Sequence, residues 1–278
     1  MLTFNPRART ILAAVLAGLS AGLGLGLIVA SPVASQDLVT FLDLKSDDFT
    51  KADMSRDDIV ASLAKLEPGK SLDLSGKRLN GLDLSGLDLR QTILRSARLN
   101  NANLRNVNLD GVAVDQAWAL KSDFTNASFI GASLFQTQMM DAKIDGANFS
   151  NAMVGADMSR ASLINARFDN AMLAPDLTNQ SMGLMRGVLK GANLQGASFK
   201  GANLTRSAFD FASLKGVNFE DANLSGAELG GADLTGANVT NANFDKADVN
   251  SAKLLQLTGK GSAKGLSSAV NLDKAFVD

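Results

Sequence analysis

The residues that most often carry chemistry are missing from this chain of 278 residues: it has no His, no Cys and no Tyr. That removes the commonest general base and metal ligand, zinc-thiolate sites, thiol nucleophiles and disulfides. Asp, Glu, Lys and Ser remain, but no spacing gathers them into a catalytic set, so no catalytic, cofactor-binding or metal residues are assigned. Two stretches invite comparison with ligand loops. Asp43, Asp47, Asp48, Asp53, Asp57 and Asp58 form an acidic run. It lacks the alternating ligands and central Gly of a calcium hand and reads as a solvated face. Gly259-Lys260-Gly261 would need Gly five residues before the Gly-Lys pair and Ser or Thr after the Lys to cradle phosphate. Leu254 and Gly261 stand there instead. Gly22, Gly24 and Gly26 follow no strand, so they make no nucleotide loop either.

What remains is surface recognition. Trp118, the only tryptophan, falls in an outward place, as do Phe135, Phe211 and Met140. The stretch from Pro175 to Ser181 interrupts the pattern described below and offers a loop. Trp118, Phe135, Phe211, Pro175, Asp176 and Asn179 are therefore the candidate partner-binding residues. The alternative is that the aromatics are scattered singles and the interruption is a bulge. Asp88 with Arg90, Asp157 with Arg160, and Arg167 with Asp169 read as solvated surface pairs of little consequence.

The element that positions these residues is a five-residue repeat. From Gly187 to Leu254 the third residue of every five is apolar: Leu189, Leu194, Phe199, Leu204, Phe209, and on to Leu254. Two residues earlier sits Ala in most fives, with a mostly polar residue between. The frame starts at Leu72-Asp73-Leu74. It slips by one residue at Ala152-Met153-Val154-Gly155 and breaks after Leu173. It resumes at Leu184 and Leu189 one residue late, so the two slips cancel by count. Two inward positions separated by one outward residue describe a short extended piece. Gly at the last place and Asn before the large residue suit tight turns.

Ala192-Asn193-Leu194-Gln195-Gly196 and Ala232-Asp233-Leu234-Thr235-Gly236 resemble the motif of the pentapeptide-repeat family. The resemblance covers 72–254. It implies an all-β solenoid, a right-handed four-sided β-helix with one five per side. At four fives per turn the run makes about nine coils, a rod on the order of 45 Å long. Residues twenty apart should then stack, giving a column Phe129, Phe149, Phe168, Leu189, Phe209, Leu229, Val249. Large meets large in that column.

The flanks differ. Residues 1–36 carry Arg7 and Arg9, an uncharged run from Ile11 to Ala30, then Pro32 and the small residues Val33-Ala34-Ser35. They read as a signal peptide, or as an uncleaved membrane anchor with a cytoplasmic N-terminus. Residues 37–70 form an N-terminal cap with a helix from about Arg56 to Leu66. Ser55 and Asp58 make its capping box, and Ile59, Val60, Leu63 and Leu66 its apolar face. Residues 71–256 are the β-helix. Residues 257–278 are a C-terminal cap or tail; as a cap, Leu266, Val270, Leu272 and Phe276 fold over the last coil.

Together these features point to a non-enzymatic scaffold outside the cytoplasm, in periplasm, lumen or medium. It binds another protein, engages membrane or secretion machinery through its N-terminal segment, and is a monomer or end-to-end dimer. Some pentapeptide-repeat proteins mimic duplex DNA and bind type II topoisomerases. That alternative needs a strongly negative rod, whereas residues 71–257 hold 18 acidic against 17 basic residues. No nucleic-acid partner is expected from a chain of net charge −1. A reporter that works only after export, fused behind residue 45, should be active. Activity confined to a cytoplasm-requiring reporter would overturn the location.

Overall fold

A computed structural model describes residues 42–175 and 185–278. The chain divides into two compact units, 1–50 and 51–278. In the first, residues 42–50 are described; they include helix α1 (Asp47–Thr50), where Phe49 is buried and the Thr50 hydroxyl donates to the Ser46 carbonyl. The apolar stretch 11–30 lies outside the described residues. Among those described, no helix is long and apolar enough to cross a membrane.

The second unit is a solenoid held by parallel pairing between successive coils. Four ladders of bridges run along it. Face 1 passes through Arg78, Arg98, Trp118, Gln138, Asp157, Val188, Ala208, Glu228, Asp248 and Val270. Face 2 begins Asp83, Asn103, Asp123, and face 3 Asp88, Asn108, Ser128. Face 4 runs Ala113, Ser133, Met153, Met172, Asn203, Asn223. The pairing is so brief on each side that only two short strand pairs stand out. They are β1 (Leu72–Asp73) with β2 (Thr92–Ile93), and β3 (Lys253–Leu254) with β4 (Phe276–Val277).

The five-residue pattern explains each side. The small and large positions point inward and are buried, as with Ala97 and Leu99 or Ala232 and Leu234. The large residue's carbonyl accepts the N–H three residues on, closing the corner (Ala97 to Leu94, 3.1 Å). The residue before that donor takes a positive φ, whether Gly, Asn or another type. The outward Asn or Asp is recruited too. Asn203 Oδ1 accepts the Thr205 N–H at 3.1 Å and the Thr205 hydroxyl at 2.7 Å, and Asp233 serves Thr235 in the same way. Such side chains mimic a turn of backbone, which is why this position prefers them.

The coil length is not constant, and the expected column is corrected here. Gln138 pairs with Asp157, a coil one residue short; Asp157 pairs with Val188, a coil of 31 residues. The two slips therefore do not cancel. Arg167 pairs with Ser198 and Met172 with Asn203 across the break, so the eleven residues beyond a coil of twenty fall between Leu173 and Gly187. Phe168 stacks on Phe199, not Leu189. Phe129, Phe149, Phe168 and Phe199 form a continuous stack with centroids 4.6, 4.7 and 4.7 Å apart and planes within 9°. Leu189 lies on the opposite side, behind face 1, with Phe209. Each aromatic step is worth about 0.5–1.5 kcal/mol beyond burial, so this register outweighs the one that simple counting suggests.

The N-terminal end is closed as expected, with two differences. Helix α2 (Arg56–Leu63) has the Ser55–Asp58 capping box, but it stops three residues before Leu66. Ile59 is fully buried, whereas Val60, expected on the same face, is 41% exposed. Polar contacts fix the segment before it. Ala52 bridges to Leu79, Asn80 Nδ2 donates to the Lys51 carbonyl, and the Arg56 guanidinium donates to the carbonyls of Asp83 and Ser85. These groups satisfy a first coil that would otherwise present open backbone. Asp53 accepts from both the side chain and the backbone of Arg78, which holds its carboxyl below its ordinary value.

The C-terminal segment does not fold over the last coil; it adds another. Thr258, Lys264, Val270 and Phe276 join successive ladders at six-residue spacing. A 3-10 turn fills each longer corner (Lys260–Ser262, Leu266–Ser268, Leu272–Lys274). Leu266 is buried, but Val270 and Phe276 face outward, 46% and 59% exposed.

The acid response follows from Asp53. Its carboxyl titrates lower in the folded chain, so its contribution is complete above the unfolded value and is lost as pH falls through the folded one. The protection factors of amides over Asp53–Leu63, exchange measured against the intrinsic rate at each pH, should fall below about pH 4. In Asp53→Asn they should be low already at pH 7 and change little with pH. A wild-type segment whose protection ignores pH would contradict this.

Candidate functional site

One corner of the solenoid gathers both slips of the five-residue frame. It joins face 4 of one coil to face 1 of the next. Going up the rod it holds Arg95–Ser96, Asp115–Gln116, Phe135–Gln136, the shortened turn at Gly155, and then the long excursion between Leu173 and Gly187. The single-residue deletion and the eleven-residue insertion lie about twenty residues apart in sequence. In space they are stacked on consecutive coils.

The deletion and insertion fit one another. At Gly155 the turn lacks its left-handed residue, so the corner retracts. A Cβ placed there would sit 3.6 Å from the Phe135 ring and 3.8 Å from the Met185 carbonyl oxygen. The returning chain thus passes close to the retracted corner, and Gln136 Nε2 donates to Met185 Sδ at 3.2 Å. The neck is closed by the Gly187 N–H donating to the Leu173 carbonyl at 2.8 Å, with the Ser207 hydroxyl donating to the same oxygen at 3.3 Å. At Gly187 a Cβ would come within 2.9 Å of the Leu173 side chain, so any larger residue there would have to displace Leu173. Arg186 pins the return by donating to the Arg206 carbonyl and pairing with Glu228 at 2.8 Å. Lys190 extends this set to Asp210 and Glu228.

On the coils below Gly155 the same corner holds a cavity of about 300 Å³ lined by Arg95, Asp115, Gln116, Ser133 and Phe135. Asp115 Oδ1 accepts the Ser133 hydroxyl and, at 3.0 Å, the Phe135 N–H. Arg95 reaches the other oxygen only at 3.5 Å, and its side chain is 62% exposed. The Ser96 hydroxyl meets Gln116 Oε1 at 3.3 Å. Beside the cavity, face 4 turns two methionines outward on consecutive rungs, Met153 at 58% and Met172 at 46% exposure.

Of the residues expected to bind a partner, Phe135 and Pro175 belong to this corner. Phe135 is half-buried on the cavity wall, and Pro175 is buried at the start of the excursion. Trp118 is half-buried on adjoining face 1, paired with Gln138, whose amide donates to the Gln136 carbonyl. Phe211 is elsewhere. It is 78% exposed at the corner between faces 1 and 2, at φ 59°, with its ring against the backbone of Gly231. Asp176 and Asn179 lie outside the described residues. Met140 is corrected: it is 4% exposed, tucked along the same corner as Asn80, Asn100 and Leu120. Arg95, Met153 and Met172 were not singled out from sequence. Each is an ordinary outward residue until the coil register shows what lies next to it.

The remaining motifs are structural. Gly259 opens the first six-residue corner, where a Cβ would strike Thr240, and Lys260 donates to the Asp278 carbonyl. The Arg90–Asp88 and Arg167–Asp169 pairs form as expected. Asp157 instead caps the turn at Ser159, while Arg160 makes its two-pronged pair with Asp141 on the coil below. No group of three or more acidic residues among those described could hold a metal ion.

The fold and its corner define a repeat solenoid whose regular sides are interrupted at one place. The family model for pentapeptide repeats matches residues 73–111, 122–154, 188–221 and 222–254, half of the chain, in eight copies. The chain belongs to the pentapeptide repeat family, and its fold is that family's right-handed β-helix. The unmatched residues 112–121 and 155–187 include the Asp115–Gln116 turn, Gly155 and the excursion. Among solved structures, HetL, involved in heterocyst differentiation regulation in the cyanobacterium Nostoc sp. strain PCC 7120, is 27% identical over 80% of this chain and 98% of that one, with a TM-score of 0.43. Full-length QnrB1, a plasmid-mediated fluoroquinolone resistance protein, is 16% identical over 75% and 92%, TM-score 0.41. A pentapeptide repeat protein from the Arabidopsis thaliana thylakoid lumen is 22% identical over 51% and 68%, TM-score 0.14. No curated protein matches.

Removing residues 175–185 joins Ala174 to Arg186 and restores a twenty-residue coil. The variant should fold, with stability unchanged or raised by about 1 kcal/mol from the shorter closure. Loss of the cooperative melt would show that the excursion is part of the core.

Proposed function

We propose that this protein is an exported or membrane-anchored, non-enzymatic scaffold that binds another protein through the interrupted corner. One observation carries this reading: deletion, insertion, cavity and exposed methionines coincide at a single corner of an otherwise regular polar solenoid. A repeat selected only for its core has no reason to place all four together. Protein interaction sites favour exposed apolar groups beside adaptable polar ones. Residues 1–36 support the location, reading as a signal peptide or anchor with both arginines ahead of the apolar run. The proposed domain plan is that segment, a cap over 37–70, a β-helix of about nine coils over 71–256, and a tail over 257–278.

Mimicry of duplex DNA toward a type II topoisomerase is the weaker reading, because acidic and basic residues nearly cancel along the rod. A monomer or an end-to-end dimer is proposed as the oligomeric state. Phe276 and Val277, both more than half exposed on the last coil, are the apolar groups available for the dimer.

Tagged full-length chain should capture a specific protein from the envelope fraction, and the folded 175–185 deletion should lose it. Equal capture by both would remove the corner from the function; an equally strong catch from the cytoplasmic fraction alone would remove the location.

A further inference from the structure

The corner cavity has a chemistry of its own. Other arginines along the rod hold carboxylates more closely: Arg90 to Asp88 at 2.5 Å, Arg160 to Asp141 and Arg167 to Asp169 at 2.8 Å, Arg105 to Asp123 at 3.2 Å. Arg95 is more than half exposed and meets Asp115 at 3.5 Å. The other oxygen of Asp115 is already engaged by Ser133 and Phe135. Arg95 can therefore give a planar, two-pronged donor to an incoming carboxylate without opening a strong pair. Asp73 lies near enough to feel Arg95 but is held mainly by Ser75.

Two rungs up the same corner, the Phe135 ring makes the apolar end of the groove, with Met153 exposed one rung higher on face 4, directly above Ser133. Rungs are about 4.8 Å apart, so the charged and apolar ends are separated by roughly 10 Å. An extended peptide advances about 3.3 Å per residue, which matches three residues. Gln116, between the ends, offers an amide to a passing backbone.

We propose that this groove takes an extended peptide segment of the partner, lying along the rod axis, with an apolar side chain against Phe135 and Met153 and a carboxylate on Arg95 three residues away. This deepens the scaffold reading and rests on it. Charge complementarity at one end and exposed apolar surface at the other select an acidic–apolar segment over a basic one.

The test is selection of random linear octapeptides displayed on phage against the full chain. Recovered sequences should share a Leu, Met or Phe spaced three residues from an Asp or Glu. Synthetic versions should bind Arg95→Gln and Phe135→Ala at least about tenfold more weakly, as expected for loss of one charge-assisted contact or one buried ring. Arg95→Gln should match wild type in circular dichroism and melting, and Phe135→Ala, which loses a half-buried ring, should keep the wild-type circular dichroism and a single cooperative melt. No enrichment, enrichment of basic peptides, or undiminished binding to both variants would overturn the proposal. If the envelope partner is lost on deleting 175–185 but captured equally by Arg95→Gln and Phe135→Ala, the groove falls while the scaffold reading stands.

Discussion

Every coil of this solenoid is satisfied by its neighbours, and that requirement governs the rest. Leu79 donates its N–H to the Arg98 carbonyl, and Arg98 donates back to the Lys77 carbonyl; the exchange repeats from coil to coil. A buried backbone group without a partner costs about 1–3 kcal/mol, so a side cannot gain or lose a residue without breaking two ladders. Extra residues can leave only at a corner. The 31-residue coil shows the consequence: faces 1 to 4 keep their pairing, and the whole excess exits between Leu173 and Gly187.

The same constraint gives the interior its order and the exterior its freedom. Stacked Phe129, Phe149, Phe168 and Phe199 align because the ladders outside them align. Outward positions alternate with inward ones and need only serve the turns, as Asn203 and Asp233 do. Function on such a scaffold has to depart from that service. At the corner above Arg95, a lost turn residue and the return of an inserted segment are packed together: Gly155 lies beside the Met185 carbonyl.

The repeat made the fold legible in the sequence. Alternation, turn residues and the Ala-Asn-Leu resemblance identified the solenoid and its inward residues, and Ser55 with Asp58 marked the start of the cap helix. The register across the break was not legible. Counting in fives across the break aligns Leu189 with Phe168, and only coil-to-coil pairing shows that Phe168 meets Phe199. The site inherited that limit. Phe135 and Pro175 were identifiable as departures from pattern, but their proximity depends on the register, and Arg95, Met153 and Met172 look generic without it. The C-terminal coil was missed because its spacing changes from five to six, which hides the same architecture under a different count.

The chain's lack of cysteine makes the register directly measurable. Cysteines placed at Arg167 and Ser198, bridge partners across the break, should form a disulfide under mild oxidation, since paired positions lie within the span a disulfide accepts. Cysteines at Arg167 and Val188, the pair that simple counting would align, should remain reduced. Crosslinking of the second pair and not the first would mean that the excursion is a coil, and the composite corner would not exist.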